Sequence, residues 1–66
     1  MKTTIGTIFY SRYENIVFYV FKIEKSSSTV YYFYINKNNI KEIISRTFPE
    51  IEFWENNIKE FEFVYP

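Results

Sequence analysis

The feature that most constrains the fold of this chain is the stretch of residues 16–35, where two apolar runs flank a polar break. The runs are Ile-Val-Phe-Tyr-Val-Phe, which starts at residue 16, and Val-Tyr-Tyr-Phe-Tyr-Ile, which starts at residue 30. They consist of β-branched and aromatic residues, which pack well on a pleated sheet. The break, Lys-Ser-Ser-Ser at residues 25–28, is polar enough to form a turn. The stretch is therefore predicted to be a β-hairpin of two long strands.

The length of the turn determines which side chains share a face of the hairpin. With a four-residue loop at residues 25–28, the predicted cross-strand pairs are Ile23–Val30, Phe21–Tyr32 and Tyr19–Tyr34. Since successive side chains point to opposite faces, this register places Tyr19, Tyr32 and Tyr34 together. A loop of odd length would exchange which residues share a face. Both faces are apolar in either register, and one helix can cover only one of them.

A further strand is predicted before the hairpin. Residues 3–10 alternate between the two faces of a strand, and the polar residues 11–14 supply a turn into the next strand. Gly6 is the only glycine in the sequence, and we interpret it as a structural residue at a bulge or a close backbone approach. Together with the hairpin, this strand forms an antiparallel meander of three strands.

One helix is predicted after the hairpin, at residues 39–47. Asn39 and Glu42 have the spacing of a capping box. The residues that would form its apolar stripe are Ile40, Ile43, Ile44 and Thr47. The pair Phe48-Pro49 would end the helix, because proline disfavours helical geometry in the residue before it.

The last part of the chain fits both a helical stripe and an alternating strand. We favour a short extended piece at residues 50–54, a turn or a single helical turn at Asn56 and Asn57, and a final strand at residues 61–65. The predicted fold is thus α+β: a three-stranded antiparallel meander packed by one helix, with a short C-terminal extended segment or fourth strand. The 66 residues are expected to form a single domain, because the chain is too short for two.

The residue types that are missing argue against an enzyme. The chain contains no cysteine, histidine or aspartate. The commonest general base, a thiolate nucleophile and a Cys/His zinc site are therefore excluded, and a single glycine cannot build a phosphate loop. The close glutamate pairs, Glu50 with Glu52 and Glu60 with Glu62, are interpreted as solvated positions. We expect no catalytic residue, no metal and no cofactor.

Charge and hydropathy set the expected environment. Eight basic and eight acidic side chains give a net charge of zero, so no whole-molecule field favours DNA or a membrane. The distribution is uneven, since five acidic residues and one basic residue follow residue 46. The start of the chain lacks a signal-peptide pattern, and the longest apolar run is far too short to span a membrane. We expect a cytoplasmic protein.

The aromatic content favours a binding function. Eight Phe, seven Tyr and one Trp provide more apolar area than one helix can cover. Aromatic planes can stack on the bases of RNA, and nearby cations can bind its phosphates. The candidate binding residues are Tyr19, Tyr32, Tyr34, Lys22, Lys25 and Arg12.

Two alternatives to RNA remain open. The same rings could form the core or the interface of a homodimer. They, or the acidic C-terminal third, could instead bind another protein, as in a small regulator or inhibitor encoded by a phage or other mobile element.

Two stretches carry a resemblance to a known family. The first is Tyr32-Phe33-Tyr34, which has the form Tyr-x-Tyr on a central strand, and the second is Phe53-Trp54-Glu55-Asn56-Asn57-Ile58, an aromatic pair followed by an Asn-rich segment with Ile. With these motifs in this order, the chain resembles the KTSC domain, found at the C-terminus of some lysyl-tRNA synthetases and as free-standing small proteins. The Val-Pro usual after the central strand is replaced by Lys37-Asn38. The resemblance implies a possible RNA-binding module without catalytic residues.

Overall fold

The computed structural model describes residues 1–35 and 42–66. Its elements in chain order are β1 (Ile8–Ser11), β2 (Ile16–Glu24), β3 (Thr29–Tyr34), β4 (Ile43–Thr47), the helix α1 (Phe48–Glu55) and β5 (Phe61–Val64). The strands form one antiparallel sheet of five strands in the order β4-β3-β2-β1-β5. The fold is therefore α+β as predicted, with five strands among the described residues where three or four were expected.

The first strand begins later than predicted because a turn precedes it. The Thr7 N–H donates to the Thr4 carbonyl at 3.1 Å, and the Thr4 N–H donates to the Thr7 hydroxyl at 3.0 Å. Gly6 lies in this turn with φ of 94°, a conformation that residues with a Cβ rarely adopt. From here β1, β2 and β3 follow as the predicted meander.

A bulge in β2 changes the register of the hairpin along its length. The observed pairs are Ile23–Val30, Lys22–Tyr31, Val20–Tyr32, Tyr19–Phe33 and Phe18–Tyr34. The pair nearest the turn agrees with a four-residue loop, but Phe21 is an extra residue without a partner on β3. One extra residue shifts all pairs beyond it and exchanges the faces. The predicted partners of Tyr32 and Tyr34 are therefore wrong.

The hydrophobic core lies between α1 and one face of the sheet, which we call the inner face. The buried apolar side chains are Phe9, Ile16, Phe18, Val20, Val30, Tyr32 and Ile51. Phe9 is central among them, since its ring stacks on Phe18 at 4.7 Å and on Phe63 at 5.1 Å between centroids. Burying one such side chain contributes roughly 1.5–3 kcal/mol.

The predicted helix at residues 39–47 is wrong over the part that the structure describes. Residues Ile43–Thr47 form β4, which pairs with β3 at the edge of the sheet. Asn39, Ile40 and Lys41 lie outside the described residues. Ile43 and Ile44 are β-branched, and this residue type also suits a strand.

The helix α1 begins at Phe48, the residue at which the predicted helix was expected to end. The Thr47 N–H donates to Glu50 Oε1 at 3.0 Å as one arm of a capping box, and the Thr47 hydroxyl donates to the same oxygen at 3.0 Å. Pro49 lies in the first turn of α1, where its missing N–H costs no intrahelical hydrogen bond. The predicted extended piece at residues 50–54 is therefore wrong.

The last strand and the N-terminal residues pack against the rest of the fold. The final strand predicted at residues 61–65 is confirmed as β5, which pairs with β1 at the second edge of the sheet. Glu55 at the end of α1 accepts hydrogen bonds from the N–H groups of Lys2 and Thr3 at 2.9 and 2.7 Å. Its carboxylate also accepts a hydrogen bond from the Tyr65 hydroxyl at 3.3 Å. One side chain therefore connects both terminal segments to the helix.

Candidate binding surface

The face of the sheet that points away from α1 carries its own cluster of aromatic rings. We call this the outer face, and its apolar residues are Ile8, Tyr10, Val17, Tyr19, Phe21, Tyr31, Phe33, Ile43 and Val64. The ring centroids of Tyr19 and Phe33 are 5.5 Å apart. The Phe21 ring lies 5.5 Å from Phe33 and 6.5 Å from Tyr31. These four rings form a continuous row, which we call the aromatic row.

The outer face is partly open to solvent. The rings of the aromatic row are only half-buried, and α1, the helix of the described chain, packs on the inner face. The aliphatic side chains at the two edges of the sheet are more open, with Ile43 63% exposed on β4 and Val64 59% exposed on β5. Contiguous exposed apolar residues on a soluble domain commonly mark an interaction site.

Charged side chains lie at two ends of the outer face, one beside the Tyr31 ring and one beside β1 and β5. At one end, Lys22 Nζ lies 3.5 Å from Glu24 Oε2 and 5.0 Å from the centroid of the Tyr31 ring. The Ser27 hydroxyl donates to Glu24 at 2.6 Å, and this hydrogen bond lowers the pKa of Glu24. At the other end, Arg12 Nη2 lies 3.5 Å from Glu62 Oε2. Each end therefore carries one cation and one carboxylate.

The structure separates the three tyrosines of the predicted site. Tyr19 lies on the outer face, whereas Tyr32 is 2% exposed on the inner face and makes edge contacts with the rings of Phe9 and Phe18, both at 5.1 Å. Tyr34 also packs on the inner face, 5.0 Å from Phe18. Burial raises the pKa of Tyr32 to about 12. The prediction that these tyrosines share one binding face is therefore wrong, because the bulge at Phe21 places Tyr19 opposite Phe33.

The three predicted cations have different surroundings. Lys22 contacts the Tyr31 ring on the outer face, and Lys25 is exposed in the hairpin turn. Arg12 lies at the opposite end, beside Glu62. The predicted register already placed Phe21 on the face of Tyr19, and a hairpin loop of odd length would have added Tyr31 and Phe33 to that face.

A groove of about 190 Å³ opens on the helix side of the sheet. Its lining residues are Glu14, Phe18, Tyr32, Tyr34, Ile44, Arg46, Trp54 and Phe61. The Arg46 guanidinium already lies 6.0 Å over the Trp54 ring and 3.9 Å from Glu50. The groove is smaller than the roughly 300–1,000 Å³ of ordinary small-molecule sites. We place the candidate site on the outer face, because the rings of the aromatic row adjoin one another there beside the exposed side chain of Ile43.

The acidic residues of the C-terminal third are largely used within the fold. Glu50 caps α1, Glu55 holds the terminal segments and Glu62 pairs with Arg12. Hydrogen bonds from Thr47 lower the pKa of Glu50. Within residues 1–35 and 42–66, no group of three or more potential ligands could hold a metal ion. In the same ranges, no helix has the length and apolar character needed to cross a membrane.

Comparison of this chain with known protein families, with curated proteins and with solved structures finds no match. The assignment of a function therefore depends on the geometry of the outer face.

Proposed function

We propose that this chain is a non-catalytic interaction domain that binds a protein partner through the outer face of its sheet. The observation that carries the proposal is the aromatic row, whose four uncharged rings are half-buried and, among the described residues, lie between charged pairs at two ends of the outer face. Protein interfaces combine a centre that is poor in charge and rich in aromatic residues with a polar rim. The Lys22–Glu24 and Arg12–Glu62 pairs occupy the positions of such a rim.

The aromatic row is also suited to supply binding energy. A partner that covers one half-buried ring would remove apolar area worth roughly 1 kcal/mol, so four rings would contribute about 4 kcal/mol. The rings already pack against one another, and ordered side chains lose less entropy when a partner binds. Aromatic residues are frequent among the few residues that dominate the energy of an interface.

RNA binding is the second candidate function. Lys22 lies 5.0 Å over the Tyr31 ring, so a cation and a partly exposed aromatic plane are adjacent, as in a stacking site. The resemblance to the KTSC domain, proposed from the sequence, favours the same function. However, Lys22 and Arg12 are each paired with a glutamate, which weakens their attraction for phosphate. We therefore rank a protein partner first, with the cytoplasm as the proposed compartment.

Photo-cross-linking from the outer face tests this proposal. A photoreactive phenylalanine analogue replaces Phe33 in one variant and Phe53, which is 67% exposed on α1, in a matched control. Upon irradiation of cells that make the protein, we expect a discrete protease-sensitive adduct from position 33 and none from position 53. Absence of an adduct at position 33, or equal adducts from both positions, would contradict the proposal. A nuclease-sensitive adduct at position 33 would show that the partner is RNA and not a protein.

A further inference from the structure

We infer that the partner on the outer face is a second copy of this chain, so that the protein forms a two-fold symmetric dimer. The inference rests on the proposed function, because it names the occupant of the same surface. Three properties of the molecule carry it: the arrangement of charge, the area of the face and the small size of the core.

The charges allow two outer faces to meet. In a two-fold dimer the same patch serves both partners, so the patch must be complementary to itself. The net charge of the chain is zero, and the two charged ends of the outer face each have one cation and one carboxylate, Lys22 with Glu24 and Arg12 with Glu62. Two orientations of the copies bring different ends of the outer face together. In both of them, a cation of one copy lies against an end that contains a carboxylate of the other copy. A face with charges of a single sign would repel its own copy.

The area of the face is sufficient for a weak dimer. The sheet is five strands wide. At about 4.8 Å per strand and about 3.3 Å per residue over six residues, the flat area is roughly 24 by 20 Å, or about 480 Å². Two copies would bury about 1,000 Å², which is close to the lower limit for a specific interface. The side chains project from the sheet, so the true contact area is larger than this flat area. A dimer with an interface of this size is expected to be in exchange with its monomer.

The size of the core explains why a second copy would stabilise the chain. Seven apolar side chains of the described residues are buried, and four further aromatic rings lie half-buried on the outer face. A domain of about 60 residues buries a smaller share of its surface than a larger one and is marginally stable. Two sheets that pack face to face with strands within about 30° of each other form an ordinary second core.

Sedimentation equilibrium of the purified chain tests the inference. We expect an average mass that rises with concentration towards twice the chain mass of 8.2 kDa. A mass of one chain at about 1 mM, where a dimer with a binding free energy of only about −4 kcal/mol would already be partly formed, would overturn the inference. That result would not contradict the proposed function, since a monomer can still bind a different protein through position 33. The cross-linking experiment tests the proposed function separately.

Matched variants show whether the dimer uses the outer face. Phe33→Lys places a charge in the aromatic row, and Phe53→Lys places the same charge on α1, where residue 53 is 67% exposed. We expect Phe33→Lys to weaken the dimer by at least tenfold and Phe53→Lys to leave its dissociation constant within twofold. Ile43→Lys, on an exposed edge of the same face, is the second variant if Phe33→Lys loses its near-ultraviolet circular dichroism. Equal dissociation constants for the outer-face variants and Phe53→Lys would overturn the inference.

Discussion

At the scale of single residues, Tyr31 and Tyr32 show how adjacent tyrosines acquire opposite roles. Tyr32 is 2% exposed and packs among the rings of the inner face. Tyr31 points to the outer face, where Lys22 lies 5.0 Å over its ring. The alternation of side chains along β3 separates them, because successive residues of a strand face opposite sides. Tyr32 therefore contributes to stability, and Tyr31 contributes to the surface that we propose for binding.

Stability is predicted to fall between pH 10 and pH 12 because of Tyr32. Burial raises the pKa of Tyr32 from about 10 in an unfolded chain to about 12 in the folded protein. The contribution of the neutral phenol is complete below pH 10, and it decreases by roughly 2–3 kcal/mol as the pH rises through 12, because the unfolded chain loses this proton first. Urea denaturation at a series of pH values measures the free energy of unfolding.

The Tyr32→Phe variant is the control for this pH dependence. Its side chain cannot ionise, so we expect a smaller loss of stability above pH 10 than in the wild-type protein. A residual loss from Tyr34 and Tyr65 is expected in both proteins, because burial also raises the pKa of each of these groups. The same loss in both proteins would show that Tyr32 is not buried in the folded chain.

At the scale of elements, local patterns predicted most of the strands. The hairpin, the meander and the final strand follow from runs of β-branched and aromatic residues with turn residues between them. The bulge at Phe21 has no comparable signal, since no glycine or proline marks it. It depends on how the two strands pack on their neighbours. The presence of Tyr31 and Phe33 beside Tyr19 and Phe21 on the outer face could therefore not be deduced from the local sequence.

The position of the helix could have been predicted from a second capping signal. Thr47-Phe48-Pro49-Glu50 has the Ser/Thr-x-x-Glu form of a capping box, with proline inside the first turn. The same proline also favours the end of a preceding helix, and the apolar spacing of residues 40–47 supported that interpretation. Two local signals thus competed, and strand pairing of β4 with β3 agrees with the capping box at Thr47.

Removal of the cap is predicted to destabilise the protein by about 1 kcal/mol. In Thr47→Ala the hydroxyl that donates to Glu50 Oε1 at 3.0 Å is lost, while the backbone N–H bond to the same carboxylate remains. Ser45→Ala, at an exposed position of β4, is the matched control and should change the free energy of unfolding by less than about 0.5 kcal/mol. Chemical denaturation measures both variants. Equal destabilisation by the two would show that the cap does not determine where α1 begins.

At the scale of the whole molecule, the one helix and one sheet of residues 1–35 and 42–66 leave the sheet covered on a single side. Ile51 and Trp54 of α1 pack with the inner face, where Phe9 and Tyr32 lie. The outer face keeps the aromatic row together with the exposed side chains of Ile43 and Val64. The proposed function and the proposed dimer both require that this face be uncovered in a single chain.

The most direct test of that requirement is the solvent exposure of individual aromatic rings, measured by nuclear magnetic resonance with a soluble paramagnetic probe in a dilute monomeric sample. The structure predicts stronger relaxation enhancement for the ring protons of Phe21 and Phe33, which are half-buried, than for those of Phe9 and Phe18, which are buried. Enhancement at Phe33 as weak as at Phe9 would show that the outer face is sealed within one chain, and it would contradict the account.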